Sequence, residues 1–162
     1  MLALIIIAGS LALKPVAAQN LYMQGIYLEG FALYEHAQKK YEKALIFDPY
    51  LTEALYALAL SYEETSKENK SIAYCLRVLA RNPQYFPCYD VMARTYFRQR
   101  NFKALILTVK PIMEMPVSKD EIITLKLLGT SYEKTGDSEN AKKAWEKILI
   151  LQPNDGLAKS KL

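Results

Sequence analysis

Pro15, Pro49 and Pro83 stand 34 residues apart, and Pro116 and Pro153 extend the series with small changes of spacing. Each of the last four closes a run whose apolar residues recur at the three- and four-residue steps of a helix, as in GFALYEHAQKKYEKALIFDP or LKLLGTSYEKTGDSENAKKAWEKILILQP. A period of this length holds two helices and a turn. One such pair would leave an apolar face in water, so at least three must stack to bury it. The prolines mark where second helices stop, because the ring removes the donor that a further turn needs. Pro111 falls inside the third of these segments, where it predicts a kink or an early end.

Small residues recur at one helical position, Gly25, Ala59, Ala93 and Gly129, where two helix backbones must approach closely. Tyr62, Tyr96 and Tyr132 lie three residues further on and share that face, so they are expected to fill the groove between helices. Gly136-Asp137 reads as a helix-ending glycine followed by a capping side chain. Ser118 with Glu121 reads as a capping box. The last segment carries Leu125, Leu128, Gly129, Tyr132, Gly136, Ala141, Trp145 and Pro153, with Ile148 where alanine is usual. The second carries Leu55, Leu58, Ala59, Tyr62 and Pro83, but has Ser71, Cys75 and Val78 at its later positions. Leu21, Gly25, Ala37, Tyr41, Ala44 and Pro49 represent the first, and Tyr89, Met92, Ala93, Tyr96, Ala104 and Pro116 the third. This combination resembles the tetratricopeptide repeat over residues 19–153. The resemblance implies an all-α, right-handed superhelical solenoid of about four helix-turn-helix repeats, spanning 19–50, 51–84, 85–117 and 118–153. Residues 154–162 form a short C-terminal cap, about two helical turns. So short a cap predicts that Ile148 and Leu151 on the last helix are under-covered.

Residues 2–13, LALIIIAGSLAL, are apolar apart from Gly9 and Ser10. Twelve fall short of the ~20 that span a bilayer, yet suit the apolar core of a secretory signal. Val16 and Ala18 supply small residues for cleavage before Gln19, which would make the protein exported, periplasmic or envelope-associated. No Lys or Arg precedes the run. The phase of Pro15 supports a competing reading, in which the segment is the second helix of a preceding repeat and the protein is cytoplasmic.

Composition narrows the chemistry. Lys and Arg number 21 against 17 Asp and Glu, a net charge of +4, too mild to require nucleic acid. The cluster of Arg94, Arg98, Arg100 and Lys103 with Phe97 and Phe102 reads as a solvated face, because Phe102 falls at a core position. One histidine, His36, and two cysteines leave little from which to build a metal site. Cys75 and Cys88 should differ in height by about 6–9 Å at the helical rise, against about 4.4–6.8 Å between disulfide-bonded Cα atoms, which favours two buried thiols. No phosphate loop, nucleophile elbow or HExxH pattern occurs. These observations argue against an enzyme and imply no cofactor.

The resemblance implies binding on the concave surface lined by first helices. The matching positions carry Tyr22, Ile26 and Glu29, then Glu53, Tyr56, Leu60 and Glu63. Repeat three supplies Asp90, Arg94, Phe97 and Arg98, and repeat four Lys126, Thr130, Glu133 and Lys134. That surface runs from an aromatic, acidic end to a basic one and suits a peptide or helix of a protein partner. Some members of the family grip a C-terminal carboxylate with Lys and Asn. Here Tyr22, Ile26, Tyr56, Leu60, Asp90 and Arg94 hold those positions, so tail binding of that kind is not implied. The expected function is a non-catalytic scaffold within an envelope-associated assembly. The alternatives are a structural subunit that self-assembles through its terminal helices, or a cytosolic piece of a longer repeat protein.

Overall fold

A computed structural model describes the backbone of residues 2–162 and the side chains from Lys14 onward. All regular elements among the described residues are helical. They divide into two compact units, Met1–Val78 and Leu79–Leu162.

In the first unit α1 (Leu2–Glu29) packs along α2 (Tyr34–Phe47), and α2 packs on α3 (Thr52–Glu64), which is followed by α4 (Glu68–Leu79). Pro15 does not stop a helix as the other prolines were expected to: α1 runs through it. A single proline removes one intrahelical hydrogen bond, and the bonds on either side carry the helix across. The boundary expected between residues 18 and 19 therefore lies within α1, where Ala18 is buried.

The second unit contains α5 (Phe86–Arg98), α6 (Phe102–Val109), α7 (Ile122–Thr135), α8 (Ser138–Leu151) and the short α9 (Gly156–Lys159). As Pro111 predicts, α6 ends early and tightens into a 3₁₀ segment, Lys110–Glu114. The Lys147 ammonium fixes that segment, donating to the carbonyls of Ile112, Met113 and Met115 at 3.2, 2.7 and 3.0 Å. Ser118 and Glu121 form the expected capping box. Gly136 closes α7 with a left-handed φ of 82°, and Asp137 opens α8 by accepting from the Asn140 amide at 3.1 Å.

The small positions work by size complementarity with the second helices. A Cβ on Gly25 would overlap the Tyr41 ring, reaching Cδ1 at 2.6 Å, and one on Gly129 would stand 3.0 Å from Trp145 Cε2. At the two intermediate repeats the small residue is Ala59 or Ala93, and the position equivalent to Tyr41 holds Cys75 or Val109 instead, all fully buried. Glycine thus accompanies a large aromatic, and alanine a small side chain. Tyr62 and Tyr132 are buried as expected, while Tyr96 is half-buried. Cys75 and Cys88 are both buried and not joined in a disulfide, and His36 is exposed.

The last helix is better covered than the sequence predicts. Ile148 is fully buried and Leu151 half-buried, and Ile150 is the exposed side chain instead. The cause lies in α9. Asp155, itself buried, caps α9 by accepting from the Ala158 amide at 2.9 Å and pairs with Lys126 of α7 at 2.6 Å. Lys161 pairs with Glu133 at 2.8 Å and lies 5.9 Å over the Trp145 ring. These contacts hold the chain end against α7 and α8, so a single helical turn suffices as a lid.

Candidate functional site

The expected binding positions fall on the first helices of both units. In the first unit, Tyr22, Ile26 and Glu29 lie four and three residues apart on α1, a spacing that keeps them on one face. Glu53, Tyr56 and Leu60 follow the same rule on α3, to which α1 packs. The Tyr22 ring sits 5.8 Å from that of Tyr41, tilted 37° to it. Burial raises the Tyr22 hydroxyl pKa above the usual phenol value, and the charges of Glu53 and Glu29 raise it further. Those two carboxylates therefore flank one tyrosine from two helices. Burial likewise raises the Glu29 carboxyl, assisted by the Glu64 charge; the Tyr41 and Ser61 hydroxyls nearby oppose the shift.

The second unit brings its expected residues together in another way. Asp90 and Arg94 pair with each other across one turn of α5, and Thr124 of α7 donates to Asp90 at 3.3 Å. Phe97 packs edge-on against Phe102, with ring centres 5.6 Å apart, and both rings are half-buried. Lys126 is engaged by Asp155. Glu133 accepts from the Trp145 indole at 3.0 Å as well as pairing with Lys161. Arg98 and Lys134 are exposed at the ends of their helices. Hence several of this unit's charges serve its own fold, whereas in the first unit Glu53 and Glu64 are exposed and Glu29 is half-buried, none of them in an ion pair among the described residues.

Sequence reasoning missed three contributors. Tyr41 enters the α1–α3 face from behind, and only its size opposite Gly25 hints at it. Glu64 reaches Glu29 through the packing of α3 on α1, for which spacing gives no sign. Asp155 lies in the C-terminal cap, and the Asp-Gly step after Pro153 is a capping signal, but its pairing with Lys126 is a tertiary contact.

Other concave features are shallow. One open groove of about 390 Å³ runs between α1 and α2 along Met23, Gln24, Tyr27, Leu28 and Lys40. Another, about 500 Å³, lies where Met113, Met115 and Val117 meet Ile150 and Leu151. Among the described residues there is no cluster of His, Cys, Asp or Glu that could hold a metal ion. No helix among them is long and apolar enough to cross a membrane.

Helix pairs of this length, with small-to-large packing between them, define a helical-repeat scaffold. Family profiles for the tetratricopeptide repeat match residues 52–85 and 127–155. Those two segments are tetratricopeptide repeats, modules of non-catalytic protein–protein interaction scaffolds. No curated protein matches it by sequence. Solved structures share the fold at low identity. The pilF protein of Pseudomonas aeruginosa superposes with a TM-score of 0.67 at 17% identity, covering 91% of this chain and 67% of its own. A MamA crystal structure gives 0.74 at 19%, covering 90% and 78%. YrrB, described as a TPR protein with an unusual peptide-binding site, gives 0.69 at 13%, covering 87% and 72%.

Proposed function

We propose that the protein binds a peptide or helix of a partner protein on its first-helix faces, with the α1–α3 face of the first unit as the principal contact. The observation that supports this reading is the set of half-buried and exposed aromatic, aliphatic and acidic side chains on that face: Tyr22, Ile26, Glu29, Glu53, Tyr56 and Leu60. Tyrosine offers a large contact area with a directional hydroxyl, and carboxylates at the rim select the partner by charge. Asp90, Arg94, Phe97, Arg98, Lys126 and Lys134 are the corresponding first-helix positions of the second unit. The apolar run of residues 2–13 and the small residues before Gln19 support an envelope location for the assembly.

A second reading has its own support. Val16, Met23 and Tyr27, at spacings of seven and four on α1, are 64%, 54% and 68% exposed, and Phe31 is 61% exposed. Tyr27 and Phe31 pack edge to face, 5.0 Å between ring centres. An apolar stripe of this kind suits self-association through the terminal helix.

Affinity capture with the wild type and with Tyr22→Ala/Tyr56→Ala, followed by mass spectrometry, separates the two readings. A stoichiometric partner held by the wild type and lost by the variant, with helicity unchanged, is the expected result. Recovery of the protein alone by both, in assemblies that grow with concentration, would establish the second reading. The N-terminal peptide in the same experiment reports whether the chain begins at Gln19.

A further inference from the structure

The C-terminal ends of α1 and α3 break a general rule. Helix C-termini carry partial negative charge and usually attract Lys, Arg or His. The last turns of α1 and α3 contain no basic residue and end instead in Glu29 and Glu63-Glu64. Among the described residues, Glu29, Glu53 and Glu64 make no ion pair. Beneath them Tyr41 is 0% exposed, and its hydroxyl, beside the Glu29 carboxylate, completes no hydrogen bond of acceptable geometry. Glu29 Oε1 is buried and equally unsatisfied. A buried carboxylate oxygen at a negative helix end, with the Tyr41 hydroxyl beside it, is costly in the free protein. A charge-assisted donor on the accessible side of Glu29 would offset that cost.

We propose that this corner, Glu29 and Glu64 with Glu53 and the Tyr22 ring along the approach, seats an arginine or lysine side chain of the partner polypeptide. This deepens the α1–α3 assignment and rests on it. The carboxylates are too dispersed to form a metal cluster, whereas a long side chain ending in a cation can pass Tyr22 and reach Glu29. An aromatic face beside the path favours such a cation, and guanidinium more than ammonium. Burial holds the Glu29 carboxyl above its usual pKa in the free protein, so cation docking should also bring that pKa down.

The test uses fluorescence anisotropy of the whole chain with a fluorescein-labelled octapeptide alternating leucine and arginine, and its counterpart with neutral citrulline for arginine. The arginine peptide should bind at least tenfold more tightly. Glu29→Gln/Glu64→Gln should reduce that advantage below threefold, whereas Glu139→Gln/Glu146→Gln, the same charge change in the second unit, should leave it intact. An advantage lost equally in both pairs, or in neither, overturns the proposal, as does no binding of either peptide. Equal binding of the two peptides that Tyr22→Ala/Tyr56→Ala abolishes would keep the α1–α3 face and reject the cation seat. If the first pair fails to fold, Glu53→Gln, on an exposed side chain, must lower the arginine advantage at least twofold or the proposal falls.

Discussion

The first helices of the unit Met1–Val78 end in carboxylates, Glu29 and Glu63-Glu64, whereas those of Leu79–Leu162 end in cations, Arg98 and Lys134. Both are built from the same helix pair, with glycine set against an aromatic at Gly25–Tyr41 and again at Gly129–Trp145. At α5 and α7 the second unit follows the helix dipole, an arrangement worth about 0.3–1 kcal/mol per charge. It also pairs Asp90 with Arg94 and Lys126 with Asp155. The first unit forgoes that stabilisation and leaves Glu29 half-buried without a cation. The fold tolerates either sign, because it is specified by the small-to-large packing between helices and not by the end-turn charges. A departure from the favourable arrangement at one end is therefore better read as a mark of use than of folding.

The sharpest way to break the comparison is at the glycines. Gly25→Ala must move the fully buried Tyr41, and even after the roughly 1 kcal/mol that alanine gains over glycine in a helix it should cost about 2–3 kcal/mol in denaturant unfolding. Gly129→Ala meets Trp145 at 3.0 Å, which asks for a shift of a few tenths of an ångström, and should fall within about 1 kcal/mol of the wild type. Equal costs at the two sites would mean that the aromatic wedges are not comparable in rigidity.

Smaller effects should have opposite pH slopes. Lys126 and the Ala158 amide hold the Asp155 carboxyl below its usual pKa. The stability it contributes is present at neutral pH and is lost as pH falls through the acidic range. Asp155→Ala should therefore lower the melting midpoint at pH 7 and flatten its decline in acid. Glu29 has a raised pKa, so its protonated form is the one the fold favours. That stability is present in acid and is lost as pH rises just above the ordinary glutamate range. Glu29→Gln should accordingly raise the midpoint at pH 7, with the gain vanishing as pH falls. Midpoints measured from about pH 2 to pH 8 check both signs. The smallest effect is expected at Ser118→Ala, which removes one half of the capping box before α7 and should cost about 1 kcal/mol in the same unfolding experiment.

Much of the fold was legible because local rules and repeat spacing point the same way. Pro111 foretold the early end of α6, Gly136 the left-handed turn, and Ser118–Glu121 the capping box. Pro15 misled, since its phase matches the other prolines while α1 continues through it. The chain end misled too. Nine residues look too few for a lid until Asp155 is seen tied to Lys126, a contact between positions 29 residues apart in sequence. The α1–α3 face was legible residue by residue at Tyr22, Glu53, Tyr56 and Leu60. Tyr41 and Glu64 were not, because a second-helix side chain and a neighbouring helix end reach that face only through packing.

The most direct test of the central claim places a photo-crosslinking residue at Ile26, on the α1–α3 face, or at Ile46, exposed on α2, and identifies the crosslinked product from the native cellular setting. The account predicts a partner polypeptide joined at position 26 and none at position 46. A partner captured at position 46, with nothing at 26, would contradict it.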